Sequence, residues 1–196
     1  MKLEYNMYLK KVDIKEFKKV IYPEYKKIFP AIERRSYRRI KKSYNNSTTE
    51  IIEIIVENQF VGFCIMKCLK DNPYIVLDYF AILPEYQRKG YGSKAIKLLK
   101  EMYKEHDGIF VEIEKLEDNE NEEENKIREQ RIKFYENLDF CQMGFELELF
   151  TVAYLAYMLP CSKEEFADEA VIKDIFEIYN AVSGERRIKK NCKVIM

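Results

Sequence analysis

Gln87-Arg88-Lys89-Gly90-Tyr91-Gly92-Ser93 joins an apolar run, Tyr74 to Ile82 (YIVLDYFAI), to a segment in which Ala95, Ile96, Leu99, Met102 and Tyr103 recur at helical spacing. The run before it is rich in β-branched and aromatic residues and is punctuated by Pro84, so a strand feeds a helix through a loop. Two glycines at the start of that helix let the backbone approach a bulky anion, and the unpaired N–H groups of the first turn point at it. The stretch reads as a cradle for a phosphate.

Outward from this stretch, 196 residues with 47% apolar and 35% charged side chains suit one good core. Basic and acidic residues balance at 34 each, so no overall field favours nucleic acid or a membrane surface. The five cysteines, Cys64, Cys68, Cys141, Cys161 and Cys192, are scattered and never form a Cys-x-x-Cys pair, which points to reduced thiols in a reducing compartment, the cytoplasm. Neither an export signal nor a membrane-spanning run is visible: the longest apolar stretch, Leu147 to Pro160, is short and contains Glu148.

Other nucleotide motifs are missing: there is no G-x-x-x-x-G-K-[ST] and no G-x-G-x-x-G. Gln-x-x-Gly-x-Gly after a strand with Asp78, Tyr79 and Phe80 resembles the GNAT superfamily of N-acetyltransferases, whose loop of this kind grips the pyrophosphate of acetyl-CoA. Downstream, Phe134-Tyr135-Glu136-Asn137-Leu138-Asp139-Phe140 resembles the same family's Y-x-x-x-G-F segment. The resemblance implies an α/β (α+β) fold: a mixed, mostly antiparallel sheet of about six or seven strands, one parallel pair splayed at its centre and helices on both faces. It further implies an acetyltransferase domain over residues 1–160, with 161–196 as a helix and strand extension packed on the same domain.

By resemblance, the loop residues Gln87, Arg88, Lys89, Gly90, Tyr91, Gly92 and Ser93 hold acetyl-CoA. The backbones of Phe80 and Ile82 pair with its pantetheine arm, and Tyr135 meets the leaving thiolate. Many relatives carry an asparagine seven residues before that tyrosine, where this chain has Arg128, so a cationic contact replaces it or the contact is lost. A glutamate in the strand Ile109 to Glu114 (IFVEIE) is the base in members that acetylate protein N-termini, and Glu112 stands at the match. Alternatively, Glu112 and Glu114 pair with Arg128 or Arg131. Asp78, a carboxylate inside an apolar strand, is costly to bury alone and is the second candidate base. A period of two puts Asp78, Phe80 and Ile82 on one strand face and Leu77, Tyr79 and Ala81 on the other.

Leu3 to Tyr8 is expected to be a first strand, and Asp13 to cap a helix whose pattern Pro23 and Pro30 break. Glu50 to Glu57 and Phe60 to Cys68 form a hairpin, and Arg131 to Leu138 a helix. Asp139 stands where a glycine is common, which strains the turn. Phe145 to Ala156 reads as one long closing strand, Glu165 to Asn180 as a helix, and Lys190 to Met196 as a short return strand. His106, the only histidine, sits with Asp107 and Gly108 at a helix end, with Gly108 as a left-handed cap. Triad chemistry would have to use this one histidine, and no charge-relay spacing supports it.

Two stretches are strongly charged. Glu33 to Lys42 holds six positive charges against one negative and is a solvated helix face or a border of the acceptor pocket. Six of the eight residues from Glu117 to Glu124 are acidic, a solvated insertion or a rim that concentrates cationic amines. The expected reaction is direct acetyl transfer from acetyl-CoA, with no metal, to a primary amine of a small molecule or peptide. The expected partners include no nucleic acid and no membrane, and the chain acts as a monomer or homodimer. A non-catalytic acyl-CoA sensor or assembly module is the alternative, and a kinase-like nucleotide binder lacks its magnesium and phosphate motifs.

Overall fold

The computed structural model describes residues 5–116 and 122–196. Among them eight strands form one sheet in the order β1-β2-β3-β4-β5-β7-β6-β8. They are β1 (Met7–Lys11), β2 (Thr49–Val56), β3 (Gln59–Lys67), β4 (Tyr74–Ile82), β5 (Gly108–Glu114), β6 (Cys141–Leu149), β7 (Val152–Pro160) and β8 (Cys192–Ile195). Every neighbouring pair is antiparallel except β4 and β5, which are joined by the helix α4 (Tyr91–Met102). The mixed architecture is the one expected, with more strands; the expected Leu3 to Tyr8 strand falls partly outside the described residues and begins at Met7.

Asp13 caps the first helix, its Oδ1 accepting from the N–H groups of Lys15 and Glu16 at 2.8 Å each. That helix is α1 (Ile14–Glu16), a wider turn over Phe17–Ile21, and α2 (Tyr22–Ile28). Tyr22 N reaches back to Phe17 O, a π turn placed just before Pro23, whose ring would clash with a carbonyl in a regular helix. Pro23 therefore does not break the helix, whereas Phe29 and Pro30 do end it. After a turn, α3 (Tyr37–Asn45) follows.

One face of the sheet packs against α4, where Ala95, Ile96 and Leu99 meet Ile52, Ile54, Cys64, Met66, Ile75 and Leu77. The other face is covered over its first half by α1 to α3, with Phe17, Ile21, Tyr25 and Ile40 on Phe63, Ile65, Tyr79 and Ala81. Its second half is covered by α6 (Asp168–Ser183), whose Val171, Ile175 and Ile178 meet Val76, Phe110, Phe145 and Met158. The short α7 (Glu185–Asn191) then leads into β8 at the sheet edge.

The expected alternation along β4 fails at one residue. Met66 pairs with Leu77 and Ile65 with Tyr79, so Asp78 is an extra residue, a β-bulge. Past it the faces exchange: Ile75 and Leu77 share their side with Phe80 and Ile82, while Tyr79 and Ala81 join the opposite core. The expected long strand Phe145 to Ala156 is instead a hairpin, turning at Phe150 and Thr151 with φ of 52° and 76°. Two positive values suit a type I′ turn, which asparagine and glycine usually mark, so the usual signal was missing. The first hairpin makes the same kind of turn at Glu57 and Asn58. Gly108 is no left-handed cap: it opens β5, where a Cβ would lie 2.6 Å from the Met158 sulfur. Asp139 does take φ of 65°, as the glycine it replaces would. No helix of the described residues is long and apolar enough to cross a membrane.

Thr151 is exposed and β-branched, and its left-handed backbone carries a conformational cost. Thr151→Gly removes that cost but loosens the unfolded chain, so urea unfolding should show a gain of about 0.5–1 kcal/mol. A loss of stability would contradict the turn at this position.

Candidate active site

β4 and β5 pair only from Tyr74 to Val76 against Gly108 to Phe110. The bulge at Asp78 follows directly; it bends the strand and increases its twist, so the end of β4 leaves its parallel neighbour. Leu83 N donates to Val61 O at 2.9 Å, and strand alternation then turns the N–H groups of Phe80 and Ile82 to the open side. Between this edge and the helix α5 (Glu122–Glu136) lies a cleft of about 580 Å³. Phe80 and Ile82 form one wall, Gln87, Arg88, Gly90, Tyr91, Gly92 and Ser93 one end, and Gln130, Arg131, Phe134 and Tyr135 the facing wall.

The end built by the loop is a helix N-terminus. Gly90 is the N-cap at φ of 78°, a conformation that costs glycine nothing. The first helical bond is Lys94 N to Gly90 O at 3.1 Å, which leaves the N–H groups of Tyr91, Gly92 and Ser93 ahead of the ladder. A Cβ on Gly92 would meet the Phe134 ring across the cleft at 3.4 Å, so the absence of a side chain keeps the cradle open. Gln87 braces the loop by donating from Nε2 to Ile82 O at 2.9 Å. Outward-pointing donors, the helix dipole, Arg88 and Arg131 together fit a diphosphate. Lys89 and Arg128 are not among the residues that line the cleft: Lys89 Nζ lies over the Tyr86 ring at 5.2 Å, and Arg128 Nε donates to Glu114 at 3.2 Å.

Tyr135 is held in the facing wall by its neighbours, with ring centroids 5.2 Å from Phe134 and 4.9 Å from Phe140. Burial pushes its phenol above the ordinary value; Arg131 opposes the shift, while Cys64 and Glu112 add to it. The hydroxyl therefore stays protonated and is able to donate.

Asp78 and Glu112 meet in a polar network on the opposite face of the sheet. Asp78 Oδ1 is 2.7 Å from Lys67 Nζ and its Oδ2 is 2.9 Å from an Arg35 nitrogen. Burial by itself would raise this carboxyl, but Lys67 and Arg35 outweigh it and hold it below its usual range. Lys67 in turn stays charged, since Asp78 and Glu112 more than offset the burial that would lower it. Lys67 Nζ is 3.9 Å from Glu112 Oε1, which also accepts from the Tyr179 hydroxyl. Glu112 Oε2 makes no hydrogen bond to the described residues and is not among their sealed polar atoms. Of the two carboxylates, Glu112 alone keeps an oxygen for another partner. Glu114 pairs with Arg128 and more distantly with Arg131, at 3.2 and 3.9 Å, so the arginine pairing holds for it and not for Glu112.

Arg35 also brings the α2 to α3 turn to this network. Tyr79 donates to Glu33 O at 2.7 Å, and Arg35 N donates to Tyr25 at 2.8 Å. Of the basic run, Arg35 reaches Asp78 and Arg34 is half-buried, donating to Lys26 O at 2.7 Å, whereas Arg38, Arg39, Lys41 and Lys42 are exposed. Of the acidic run, residues 117–121 lie outside the described ones, and Glu122 to Glu124 form the first turn of α5, where the helix dipole favours them. Lys67 and Tyr179 carried no functional sign in the sequence: one ends an apolar strand, the other sits at a core position of an amphipathic helix.

The model of the acetyltransferase (GNAT) family matches residues 18–140. A search of curated proteins finds no match. Among solved structures, a Bacteroides thetaiotaomicron protein assigned to the GNAT family as an acetyltransferase superposes with a TM-score of 0.71 at 17% identity, over 90% of this chain and 98% of that one. The ribosomal-protein-S18-alanine N-acetyltransferase of Escherichia coli gives 0.57 at 15% identity, over 82% and 97%. The acetyltransferase-like yncA of Salmonella typhimurium, solved with acetyl-CoA, gives 0.56 at 13%, over 83% and 98%. At these identities the likeness is one of fold.

Removing the Asp78 charge strands Lys67 and Arg35. Asp78→Asn should destabilise the protein by about 3–5 kcal/mol in urea unfolding. Because the folded-state carboxyl is lowered, its contribution is present above the unfolded value of about 4 and fades as pH falls through the folded one. The gap between wild type and Asp78→Asn should therefore narrow on acidification below about pH 4. A gap independent of pH in that range would show that the charge is not what stabilises.

Proposed function

The chain belongs to the acetyltransferase (GNAT) family, and we propose that it transfers the acetyl group of acetyl-CoA directly to a primary amine of a small molecule or peptide. The observation that carries this reading is the single cleft that gathers the α4 cradle, the open edge at Phe80 and Ile82, and the Tyr135 phenol. Acetyl-CoA is the co-substrate. Its diphosphate is assigned to the N–H groups of Tyr91, Gly92 and Ser93, with Arg88 and Arg131 beside them, and its pantetheine arm to the strand edge. The acetyltransferase domain is assigned to residues 1–160 and the extension to 161–196.

In the reaction the neutral amine nitrogen bonds to the thioester carbonyl carbon, the carbon–sulfur bond breaks, and the proton left on the new amide nitrogen passes to the departing thiolate or to solvent. The carbonyl oxygen gains charge in between, and a backbone N–H turned to the open edge, that of Ile82, is a preorganised donor for it. An alkyl ammonium is only about one-thousandth neutral at pH 7, a deficit of roughly 4 kcal/mol that loss of its proton must meet. Glu112 takes that proton, directly or through water, because one of its oxygens is uncommitted; Asp78, with both oxygens bound to cations, is a poor base. The thiolate leaves toward Tyr135, whose raised phenol donates a hydrogen bond without giving up its proton.

The acidic groups assigned to the acceptor side are Glu112, which keeps one oxygen open, and Glu33, on the turn that Tyr79 anchors, whose carboxyl is raised by burial and next by the charge of Glu114, with Arg131 opposing. A cationic amine suits such surroundings. The ribosomal-protein-S18-alanine N-acetyltransferase has a similar fold, which supports keeping a peptide among the candidate acceptors.

The test is an acetyl-transfer assay against spermidine, an aminoglycoside, free lysine and peptides with free N-termini. With the acceptor that reacts fastest, Tyr135→Phe should lower kcat at least about tenfold while the acetyl-CoA dissociation constant stays within about twofold. Unchanged kcat would remove Tyr135 from the reaction. Acetyl-CoA binding with no transfer to any acceptor would favour a sensor or assembly module.

A further inference from the structure

α6 lies beyond the segment that matches the family model, which ends at residue 140, yet it reaches the proposed proton acceptor. We infer that Tyr179 of α6 is a positioning residue for acetyl transfer: its hydroxyl holds Glu112 by Oε1 and so presents Oε2 to the acceptor's amine. The inference rests on the reading of Glu112 as the base.

Glu112 hangs from β5 on a side chain with three rotatable bonds, and its one direct hydrogen bond among the described residues comes from Tyr179. The Tyr179 ring is fixed in turn, 3% exposed and with Lys67 Nζ over it at 4.9 Å. Burial, and after it the Glu112 charge, keeps this phenol protonated throughout any practical assay range. Its proton therefore always points at the carboxylate. The other groups facing Glu112 are Lys67 from β3, Asp78 from β4, Tyr135 from α5, Tyr154 from β7 and Cys192 from β8. Of these only Lys67 carries a positive charge, and it is already held by Asp78 at 2.7 Å. Losing Tyr179's donor thus leaves the Glu112 carboxylate less stabilised and freer to swing, rather than captured by Lys67.

A hydrogen bond to the ionised form favours that form, which fixes the sign of the effect. Tyr179→Phe should move the acid limb of the kcat/KM profile, measured with the fastest acceptor of the panel, to higher pH by about one unit. At a pH below both limbs that is about a tenfold loss, with acetyl-CoA affinity unchanged. Carbon-13 NMR of glutamate carboxyl groups, with Glu112 assigned from Glu112→Gln, should show the same upward displacement without any acceptor present. Site-specific 3-fluorotyrosine at position 179, a stronger donor of nearly the same shape, should move the limb the opposite way and keeps the test open should Tyr179→Phe fold poorly. If Glu112→Gln transfers acetyl as fast as wild type, the base assignment fails and this inference with it. If Glu112→Gln is inactive while both Tyr179 variants leave the limb and the carboxyl titration in place, only the role of Tyr179 is overturned.

Discussion

A single extra residue in the central strand governs this molecule. Asp78 has no counterpart on β3, and β4 changes course there. Its pairing with β5 stops at Val76, so the edge beyond the bulge has N–H groups turned toward open space rather than toward a neighbouring strand. The cleft is the consequence, since two parallel strands that stayed in register would seal it with their own hydrogen bonds. The same bulge exchanges the two faces of the strand, which carries Phe80 and Ile82 to the cleft side and Tyr79 to the anchored turn at Glu33.

The bulge also creates an electrostatic problem. It sets a carboxylate amid apolar neighbours, and an unpaired buried charge is too costly to keep. Lys67 from the adjacent strand and Arg35 from the α2 to α3 turn neutralise it. The remedy has reach, because Lys67 also faces Glu112 on β5 and lies over Tyr179 on α6. Elements distant in the chain are thereby joined through one group of charges, and Glu112 is left with one committed oxygen and one open. Tyr135, across the sheet, feels that carboxylate while it remains a neutral donor itself.

Much of this was legible in the chain because it depends on local chemistry. The glycines of the 87–93 loop, the strand before it and the helix after it announce an anion cradle wherever the rest of the chain goes, and Gly90 takes the left-handed cap such a loop needs. The helix capped by Asp13 and the hairpin at Asn58 follow equally from residues near in sequence. The turn at Phe150 and Thr151 was hidden, since neither residue favours positive φ; tertiary pairing of β6 with both β7 and β8 holds them there. Pro23 misled for a similar reason: a π turn before it absorbs the missing N–H.

What the sequence by itself determined is the strand, loop and helix that make the cradle and the costly carboxylate at 78, because propensity and spacing act over a few residues; Glu112 and Tyr135 came from the resemblance to a family pattern. Only the tertiary structure decided which carboxylate keeps an oxygen uncommitted and that Tyr179 stands beside it. It also decided that Arg128 turns to Glu114 rather than to the cleft. These outcomes depend on a one-residue mismatch between two strands and on side chains that meet from 43 positions apart (Arg35 and Asp78) and 67 positions apart (Tyr179 and Glu112), and contacts across such separations leave no periodic trace along the chain.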